Sequence, residues 1–538
     1  MLQITHNDIY LTPGISLSEQ LSLGFKPRSD ASHWPLKFPI DWLTNPFSDE
    51  NWCFQLNAWR MIDPYLREWV KTNDSKYISD SFEYVRDWYK FVTNPSLIDG
   101  KHTWSDMATG IRALRLAFYL QLYKDGVFVP KYPDDLKLLN ALIDLHALRL
   151  MDEKKLTLTN HGLFQIFGLN SLSIVAGERA SLSGAFEYVD YAFNLLFEKQ
   201  YTKQAVHKEH SPEYHAFVTT ILINLGGNKF LKNPSVVNKI NKAAEISKWF
   251  IFPGGRISMI GDSFKNIKTP AINVSVELDE IVDCGLIDKS LEGVVVNDLS
   301  ESGYIIVRKL SSDDSIKSML LFHGSCHSMV HKHADDLSFE LFENGVMLIV
   351  DSGKYSYNSN SDRKYIISAS AHSIPKIKNI EIAPNSVSNY GSALSTLVVS
   401  KDVVCLDGVV DRKNLFLHKR NIYYKPGFYL IVRDFINSSQ PNDFLSELQI
   451  NPDLKLVKFN GFFDLECDGE FVARVIQPDS SLEIKSRNGR VTSEYAKLKI
   501  NNVIFCEAKF SSSFIDWVII FNKTEDPIAL DFLNKLAE

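Results

Sequence analysis

Four short clusters along the sequence combine side chains that can transfer protons or bind ions. They are Asn160-His161, the run from Glu209 to His215, the run from His331 to Asp336, and the group of Asp351, Arg363, Tyr365 and His372. Histidine changes its charge near neutral pH, and tyrosine acts as an acid or a base where its surroundings adjust its pKa. Imidazole and carboxylate groups also bind zinc. The clusters therefore indicate acid–base chemistry, a metal site, or both.

Each cluster also has a purely structural interpretation. Asn160 is a favoured helix N-cap, and Ser211-Pro212-Glu213 is a typical helix start with proline at the first helical position. Asp351 begins the sequence Asp351-Ser352-Gly353, which is as typical of a turn as of a ligand-binding carboxylate. The residue types alone leave these alternatives open.

The run from His331 to Asp336 precedes the apolar segment 337–342. On an extended chain alternate residues share one face, so His331, His333 and Asp335 could project together. Burying three such groups without partners is costly. The run is therefore either a solvated loop or part of a site.

The first half of the chain has the period of helices. Met107, Ile111, Leu114 and Phe118 lie on one face of a helix. Similar patterns predict helices over 51–72, 78–92, 136–151, 163–175, 186–201 and 214–225. Many helices with short connections favour stacked antiparallel helix pairs.

The second half has the turn residues of antiparallel strands. Asn344-Gly345, Asn460-Gly461 and Asp468-Gly469 supply the positive φ angles that two-residue hairpins need, and Pro426-Gly427 marks a further turn. We predict a large antiparallel β-sandwich. The expected organisation is a helical domain over 1–265, a linker and the start of the β region over 266–302, and the sandwich over 303–538. Gly261-Asp262 and Thr269-Pro270 are typical of turns in a linker between the two halves.

Composition limits the classes of partner. The formal net charge of −7 over 538 residues gives no basic excess for nucleic acid or an anionic membrane surface. No apolar stretch is long enough to span a membrane, and the six isolated cysteines fit buried free thiols. The first residues lack the features of a secretion signal, so we expect a cytoplasmic protein, or a periplasmic one if a signal has been removed.

Together the motifs resemble a known family. Asn160-His161, Ser211 to His215, HKHADDLSFELFENGVMLIVDSGKYSY from His331, and Ala371-His372 resemble the heparinase II/III-like polysaccharide lyases. The resemblance covers the chain from Asn160 to Pro375 by motif. It departs where Ser373, instead of asparagine, follows His372. It implies an N-terminal α/α toroid of helix pairs, a C-terminal β-sandwich, and cleavage of a uronic-acid-containing glycan by β-elimination.

The resemblance also implies a role for individual residues. Asn160 and His161 would contact the substrate carboxylate, and Tyr214 and His331 would form a catalytic pair across the cleft. A structural zinc ion would be bound by His333, Asp351 and His372. We expect further substrate contacts from Glu209, His215, Arg363 and Tyr365. The expected partner is an anionic polysaccharide or oligosaccharide, with self-association left open.

Elimination from a uronate needs this combination of groups. The C5 proton is weakly acidic, and its removal moves negative charge onto the adjacent carboxylate. Donors such as an amide or an imidazole at that carboxylate stabilise the transition state more than the ground state. A base must take the C5 proton, and an acid must protonate the departing O4.

Three other functions share part of the pattern. A uronate C5-epimerase begins with the same deprotonation but leaves no unsaturated product. A non-catalytic glycan-binding protein could retain the fold. A glycoside hydrolase would need two carboxyl groups flanking the bond, for which Glu209, Glu213 and Asp335 are available. The histidine and tyrosine pattern favours elimination over hydrolysis.

Overall fold

A computed structural model describes most of the chain. The described residues are 3–96, 100–226, 234–264, 293–311, 315–356, 360–388, 390–400, 403–494, 496–522, 529 and 531. Cys284 and the predicted Thr269-Pro270 turn lie outside these ranges. The other five cysteines are free, as expected, but only Cys53, Cys326 and Cys506 are buried, whereas Cys405 and Cys467 are partly exposed.

The chain divides into two compact units. Unit 1 contains Met1–Gln200 and Val218–Asn241, and unit 2 contains Tyr201–Phe217 and Lys242–Glu538. These divisions differ from the expected boundaries at 265 and 303 because segments before residue 265 pack with the strands. In unit 2, for example, the Thr202 and Ser302 hydroxyls lie 2.7 Å apart.

Helices form the first half, as predicted from their period. They are α1 Leu17–Leu23, α2 Glu50–Asn57, α3 Asp63–Thr72, α4 Lys76–Val92, α5 Asp106–Lys124, α6 Asp135–Leu150, α7 Asn160–Ala176, α8 Ala185–Gln200, α9 Pro212–Ile221 and α10 Pro234–Trp249. The helix predicted over 51–72 is two helices, because Trp59 has a φ of 58° and Pro64 occupies the first turn of α3. The last turn of the helix predicted to reach residue 225 is a π-helix, Leu222–Gly226.

Unit 1 is built around α5. Every residue from Ala108 to Leu122 is buried, so α5 is covered on all sides by its neighbours. A Cβ added at Gly110 would lie 2.3 Å from the carbonyl carbon of Phe164 in α7. The two helix backbones therefore touch at a position that has room only for glycine.

Unit 2 contains two large antiparallel sheets. The five-stranded sheet pairs segments 294–299, 304–310, 316–323, 339–343 and 346–349 in that order, and the ten-stranded sheet contains segment 375–377 and nine strands between residues 394 and 520. Their shared apolar core includes Phe322 from the first sheet and Ile422 from the second. The two sheets therefore pack face to face as a sandwich.

The strands are bounded as follows. The first eight are β1 Ile251–Phe252, β2 Arg256–Ile257, β3 Val294–Leu299, β4 Tyr304–Leu310, β5 Ile316–His323, β6 Ser325–Cys326, β7 Phe339–Glu343 and β8 Val346–Ile349. The others are β9 Pro375–Ile377, β10 Gly391–Ser392, β11 Leu394–Ser400, β12 Val403–Asp411, β13 Leu417–Lys425, β14 Tyr429–Gln449, β15 Lys455–Lys458, β16 Phe462–Cys467, β17 Glu470–Ile476, β18 Lys485–Glu494 and β19 Lys497–Ile520. A short helix, α11 Ser361–Ile366, lies between β8 and β9.

The predicted hairpins are confirmed. Asn344 and Gly345, with φ angles of 51° and 81°, join β7 to β8. The other three predicted turns join β13 to β14, β15 to β16 and β16 to β17. Among the described residues, no helix has the length and apolar character to cross a membrane.

Three segments of unit 2 meet at Gly261. Its φ is 57°, and an added Cβ would lie 2.4 Å from the carbonyl oxygen of His210 and 2.8 Å from that of His331. His210 and His331 themselves have φ angles of 57° and 58°, which are uncommon for residues with side chains. Gly261 therefore lets the two histidine-bearing segments approach each other closely.

Replacing Gly261 with alanine tests this close approach. The matched control is Gly461→Ala, because Gly461 also has a positive φ of 81° but has open space around its Cβ position. Both changes add backbone strain of roughly 1–2 kcal/mol. Only Gly261→Ala adds a steric clash, which costs about 1–3 kcal/mol more. Thermal unfolding followed by calorimetry should show a midpoint several degrees lower for Gly261→Ala, and equal midpoints would contradict the packing described here.

Candidate functional site

The first turn of α9 carries Tyr214. The Ser211 hydroxyl accepts a hydrogen bond from the Tyr214 backbone N–H at 3.2 Å and lies 3.0 Å from the Asp262 carbonyl oxygen, to which it donates. The structural interpretation of Ser211-Pro212-Glu213 as a helix start is therefore confirmed. The same turn also presents the tyrosine ring to His331.

Tyr214 and His331 are in direct contact. Their ring centroids lie 3.7 Å apart with an interplanar angle of 25°, so the rings stack. This corrects the expectation that they would face each other across the cleft. The two candidate proton-transfer groups instead form one stacked pair.

His331 is held by carboxylates on both sides of its ring. Its Nδ1 lies 2.9 Å from Oδ2 of Asp262, and its Nε2 lies 3.6 Å from Oε2 of Glu209. Burial raises the pKa of Glu209, and the neighbouring His331 opposes that rise. The expected site residue Glu209 is therefore placed beside the catalytic candidate His331.

Asp262 is the centre of a buried hydrogen-bond network. Besides His331, it binds Nε2 of His333 at 3.1 Å and both terminal nitrogens of the Arg363 guanidinium. Burial alone would raise its pKa, but hydrogen bonds from His331, His333 and Arg363 hold the pKa of Asp262 well below its usual range. The carboxylate is therefore charged and acts only as an acceptor.

No motif in the sequence indicated this role for Asp262. Gly261-Asp262 was expected to punctuate a linker, and that interpretation is wrong. Its histidine partners are 69 and 71 residues away, and Arg363 is 101 residues away. The only local signal is an acidic residue one glycine after the apolar pair Met259-Ile260.

His210 supports the loop that carries His331. Its Nε2 accepts a hydrogen bond from the backbone N–H of His327 at 2.8 Å, and its Nδ1 lies 3.1 Å from the carbonyl oxygen of Val330. Burial lowers the pKa of His210 to about 3, so the ring is neutral. A neutral ring that accepts at one nitrogen and donates at the other fits this structural role.

A lysine lies over the ring of Tyr214. The ammonium nitrogen of Lys354 is 5.4 Å from the ring centroid of Tyr214 and 5.3 Å from that of Phe264. Burial lowers the pKa of Lys354, and the carboxylates of Glu213 and Asp262 act against that shift. Burial likewise raises the pKa of Glu213, whose carboxylate accepts the Phe264 N–H at 2.9 Å. Lys354 was not among the predicted site residues.

Two expected substrate contacts have other partners in the structure. His215 is only 1% exposed, and its two ring nitrogens bind the backbone of His207 and Ala243. Its predicted role in substrate binding is wrong because neither nitrogen is available. The guanidinium of Arg363 is bound to Asp262, so the structure makes Arg363 a partner of that carboxylate instead of a substrate ligand.

Tyr365 is packed against a different arginine. The guanidinium of Arg490 lies 4.3 Å from the Tyr365 ring centroid, and the Tyr365 hydroxyl accepts the Arg490 backbone N–H at 3.4 Å. Its role in substrate binding stays a prediction.

Asn160 and His161 lie in unit 1, at the N-terminus of α7. The N-cap is Thr159, whose hydroxyl accepts the His161 N–H at 3.3 Å, so Asn160 is not the cap. The His161 ring lies 3.2 Å from Asp106, and a hydrogen bond to this carboxylate raises the pKa of His161. Both residues are accessible, and their contact with a substrate carboxylate stays a prediction.

The three predicted zinc ligands come together in unit 2. Candidate ligand atoms of His333, Asp351 and His372 all lie within 4.8 Å of one another, and all three residues are buried. His372 Nδ1 lies 3.0 Å from Oδ2 of Asp351. Nδ1 of His333 and Nε2 of His372 are buried and have no hydrogen-bond partner among the described residues. Two imidazoles and a carboxylate this close together, with buried ring nitrogens that lack partners, fit a zinc site.

Asp335 lies in a second, overlapping group of candidate ligands. This group consists of His323, Asp335 and Asp351. The Asp335 carboxylate is already paired with the Lys332 ammonium at 2.5 Å, and Lys332 also lies 3.1 Å from Asp336. The group with two histidines is therefore the better metal site. Of the three residues expected to project together, His331 and His333 meet at Asp262, whereas Asp335 pairs with Lys332, because the chain turns here instead of running extended.

Family models match both halves of the chain. The model described as Heparinase II/III N-terminus matches residues 19–278, and the model described as Heparinase II/III-like, C-terminal, matches residues 294–503. The matched segments include all eleven predicted site residues.

Similar proteins have been characterised in sequence and structure. A heparin-sulfate lyase of Bacteroides thetaiotaomicron is 22% identical over 449 residues, which are 74% of this chain and 62% of that protein. This chain thus spans less than two thirds of that relative. A heparan sulfate lyase from Pedobacter heparinus has a similar structure, with a TM-score of 0.73, 16% identity, and coverage of 94% of this chain and 82% of that one.

A chondroitin AC lyase variant from Streptomyces coelicolor is also similar in structure. Its TM-score is 0.56 at 9% identity, and the match covers 97% of this chain and 79% of that one. These likenesses confirm the predicted fold class, an α/α toroid followed by an antiparallel β-sandwich. Together with the family models, they confirm what the motifs predicted: the chain belongs to the heparinase II/III family.

Proposed function

We propose that the protein is a polysaccharide lyase that cleaves a uronic-acid-containing glycan by β-elimination. The observation that carries the proposal is the stacked pair of Tyr214 and His331, with His331 oriented by Asp262. A paired phenol and imidazole can supply the acid and the base that elimination needs.

The substrate class is inferred from the family and the relatives. The similar proteins are named as lyases of heparin sulfate, heparan sulfate and chondroitin. We infer that this chain acts on a glycosaminoglycan or a similar uronate-containing anionic glycan, with alginate as the alternative uronate polymer.

His331 is assigned as the base for the C5 proton. The Asp262 carboxylate accepts at Nδ1, so in the neutral imidazole that nitrogen carries the hydrogen and Nε2 carries the lone pair that can take a proton. When Nε2 takes a proton, the imidazolium has Asp262 on one side and Glu209 on the other. Both carboxylates stabilise that charge, as the aspartate does in a serine protease triad.

Tyr214 is assigned as the acid for the departing O4. Its hydroxyl can donate a proton as the C4–O4 bond breaks, which leaves a phenolate. The Lys354 ammonium over the ring favours that negative form electrostatically. By resemblance to the family, Asn160 and His161 would stabilise the substrate carboxylate, as an oxyanion hole stabilises its intermediate.

We propose zinc as the metal of this site. His333 would bind it through Nδ1, because its Nε2 is bound to Asp262, and His372 and Asp351 would bind it through an imidazole nitrogen and a carboxylate oxygen. When bound, the ion would act structurally by joining three segments of unit 2. The acid–base steps are carried by Tyr214 and His331.

The reaction type is tested by the products from a panel of heparin, heparan sulfate, chondroitin sulfate and alginate. We expect ultraviolet absorbance from an unsaturated uronate with at least one polymer, and fragment masses without the water that hydrolysis adds. Saturated fragments would favour a hydrolase, and C5 inversion without cleavage would favour an epimerase. Either result, without any unsaturated product, would contradict the proposal.

Replacing Tyr214 with phenylalanine tests the acid. The change removes one hydroxyl and little volume, so we expect kcat to fall by about 10²–10⁴-fold while circular dichroism and thermal stability stay close to wild type. Tyr191→Phe is the control, since Tyr191 is 51% exposed in unit 1 and its hydroxyl binds Glu153. Turnover within a few-fold of wild type for Tyr214→Phe would exclude its hydroxyl from the reaction.

Elemental analysis tests the metal. We expect about one zinc ion per chain after purification without added metal. His372→Ala should lower both the zinc content and the unfolding temperature, because metal binding stabilises the folded state. His418→Ala removes another fully buried histidine of unit 2, which binds Asp434 instead, and should keep the zinc. A wild-type protein with little zinc, before and after zinc addition, would refute this assignment.

A further inference from the structure

Asp262 contacts both functional parts of the site in unit 2. We infer that Asp262 is a positioning residue shared by His331 and His333, so that one carboxylate sets the geometry of the acid–base pair and of the metal site. The inference rests on the proposed function, because it assumes that His331 acts as a base and that His333 binds a metal.

The hydrogen-bond capacity of the Asp262 carboxylate is fully used. Oδ2 accepts from Nδ1 of His331 at 2.9 Å and from Nη2 of Arg363 at 3.0 Å. Oδ1 accepts from Nε2 of His333 at 3.1 Å and from Nη1 of Arg363. The side chain of Asp262 is only 1% exposed, so these groups replace water around it. The carboxylate cannot move without breaking contacts to all three residues.

These contacts decide which nitrogen of each neutral imidazole carries the hydrogen and which carries the lone pair. A charged carboxylate accepts but cannot donate, so the nitrogen facing it on each ring must carry the hydrogen. His331 is left with a lone pair on Nε2, which lies 3.6 Å from Glu209. His333 is left with a lone pair on Nδ1, which is buried and lacks a hydrogen-bond partner among the described residues. One carboxylate thus prepares a base and a metal ligand.

Arg363 stabilises the buried negative charge of Asp262. A buried carboxylate needs a cation and several hydrogen bonds to offset its lost hydration. Arg363 lies in α11, whose N-cap Asn360 accepts the Arg363 backbone N–H at 2.8 Å. The helix start therefore places the guanidinium, and the guanidinium fixes the orientation of the carboxylate.

The backbone of Asp262 also reaches the helix of Tyr214. Its carbonyl oxygen accepts from the hydroxyl of Ser211 at 3.0 Å, and that hydroxyl caps α9 at the Tyr214 N–H. The residue before it, Gly261, packs against the His210 and His331 carbonyls. The position of Asp262 is therefore fixed by its backbone and its side chain together.

Asp262→Asn tests this role with little change in shape. The asparagine keeps one acceptor oxygen but places an NH₂ group against an N–H donor. We expect kcat to fall by about 10²–10⁴-fold with a much smaller change in KM, because His331 loses its orientation. We expect zinc affinity, measured by competition with a chromophoric chelator, to fall by about 10–100-fold.

Asp434→Asn is the matched control. Asp434 is 0% exposed in β14 and accepts from Nε2 of His418 at 2.7 Å and from Nε of Arg420 at 2.7 Å. Like Asp262, Asp434 is therefore a buried carboxylate bound to a histidine and an arginine. Its partners His418 and Arg420 have no part in the proposed chemistry. We expect it to lose comparable thermal stability while retaining wild-type kcat and zinc affinity.

The shared role predicts that both properties change in Asp262→Asn alone. Loss of turnover with wild-type zinc affinity, or loss of zinc with wild-type turnover, would overturn it, as would equal losses in Asp434→Asn. A wild-type protein that binds no zinc even when zinc is added would also overturn it. If the wild-type protein yields no unsaturated product, the proposed function is wrong. Whatever the products are, unchanged zinc affinity in Asp262→Asn would overturn the positioning role.

Discussion

A buried carboxylate, Asp262, is the constraint on which the arrangement of unit 2 depends. Its hydrogen bonds to His331, His333 and Arg363 join segments that are far apart in sequence. The favourable interactions must offset the cost of removing a charge from water, so every partner has a fixed place. The stacked Tyr214–His331 pair contacts Asp262 through His331, and the candidate metal ligands contact it through His333. Acid–base chemistry and metal binding are thus built on one electrostatic centre.

Structural and functional interpretations of a motif proved to be compatible in α9. Ser211 caps the helix, as its sequence context predicted, and the capped turn presents Tyr214 to His331. His210 and His215 belong to the same run, yet burial and backbone hydrogen bonds make them structural. A cluster of reactive residue types therefore contains both the reacting groups and the groups that hold them in place.

Local physical chemistry explains which features the sequence could predict. Helical period and the turn dipeptides depend on neighbouring residues, so most of the helices and the four predicted hairpins follow from the sequence. The His333, Asp351 and His372 group followed from the family motif. Asp262 and Lys354 could not be recognised, because their roles come from contacts formed only when distant segments pack. The same long-range packing removed His215 and Arg363 from the expected substrate contacts.

The central claim is that this site breaks the C4–O4 bond by elimination without using water. The most direct measurement is cleavage in water enriched in oxygen-18, followed at once by mass spectrometry of the fragments. We expect each cleavage to yield an unsaturated uronate and a new reducing end without oxygen-18, because the glycosidic oxygen stays on that sugar. A saturated uronate together with an oxygen-18 atom at the new reducing end would show hydrolysis and contradict the account.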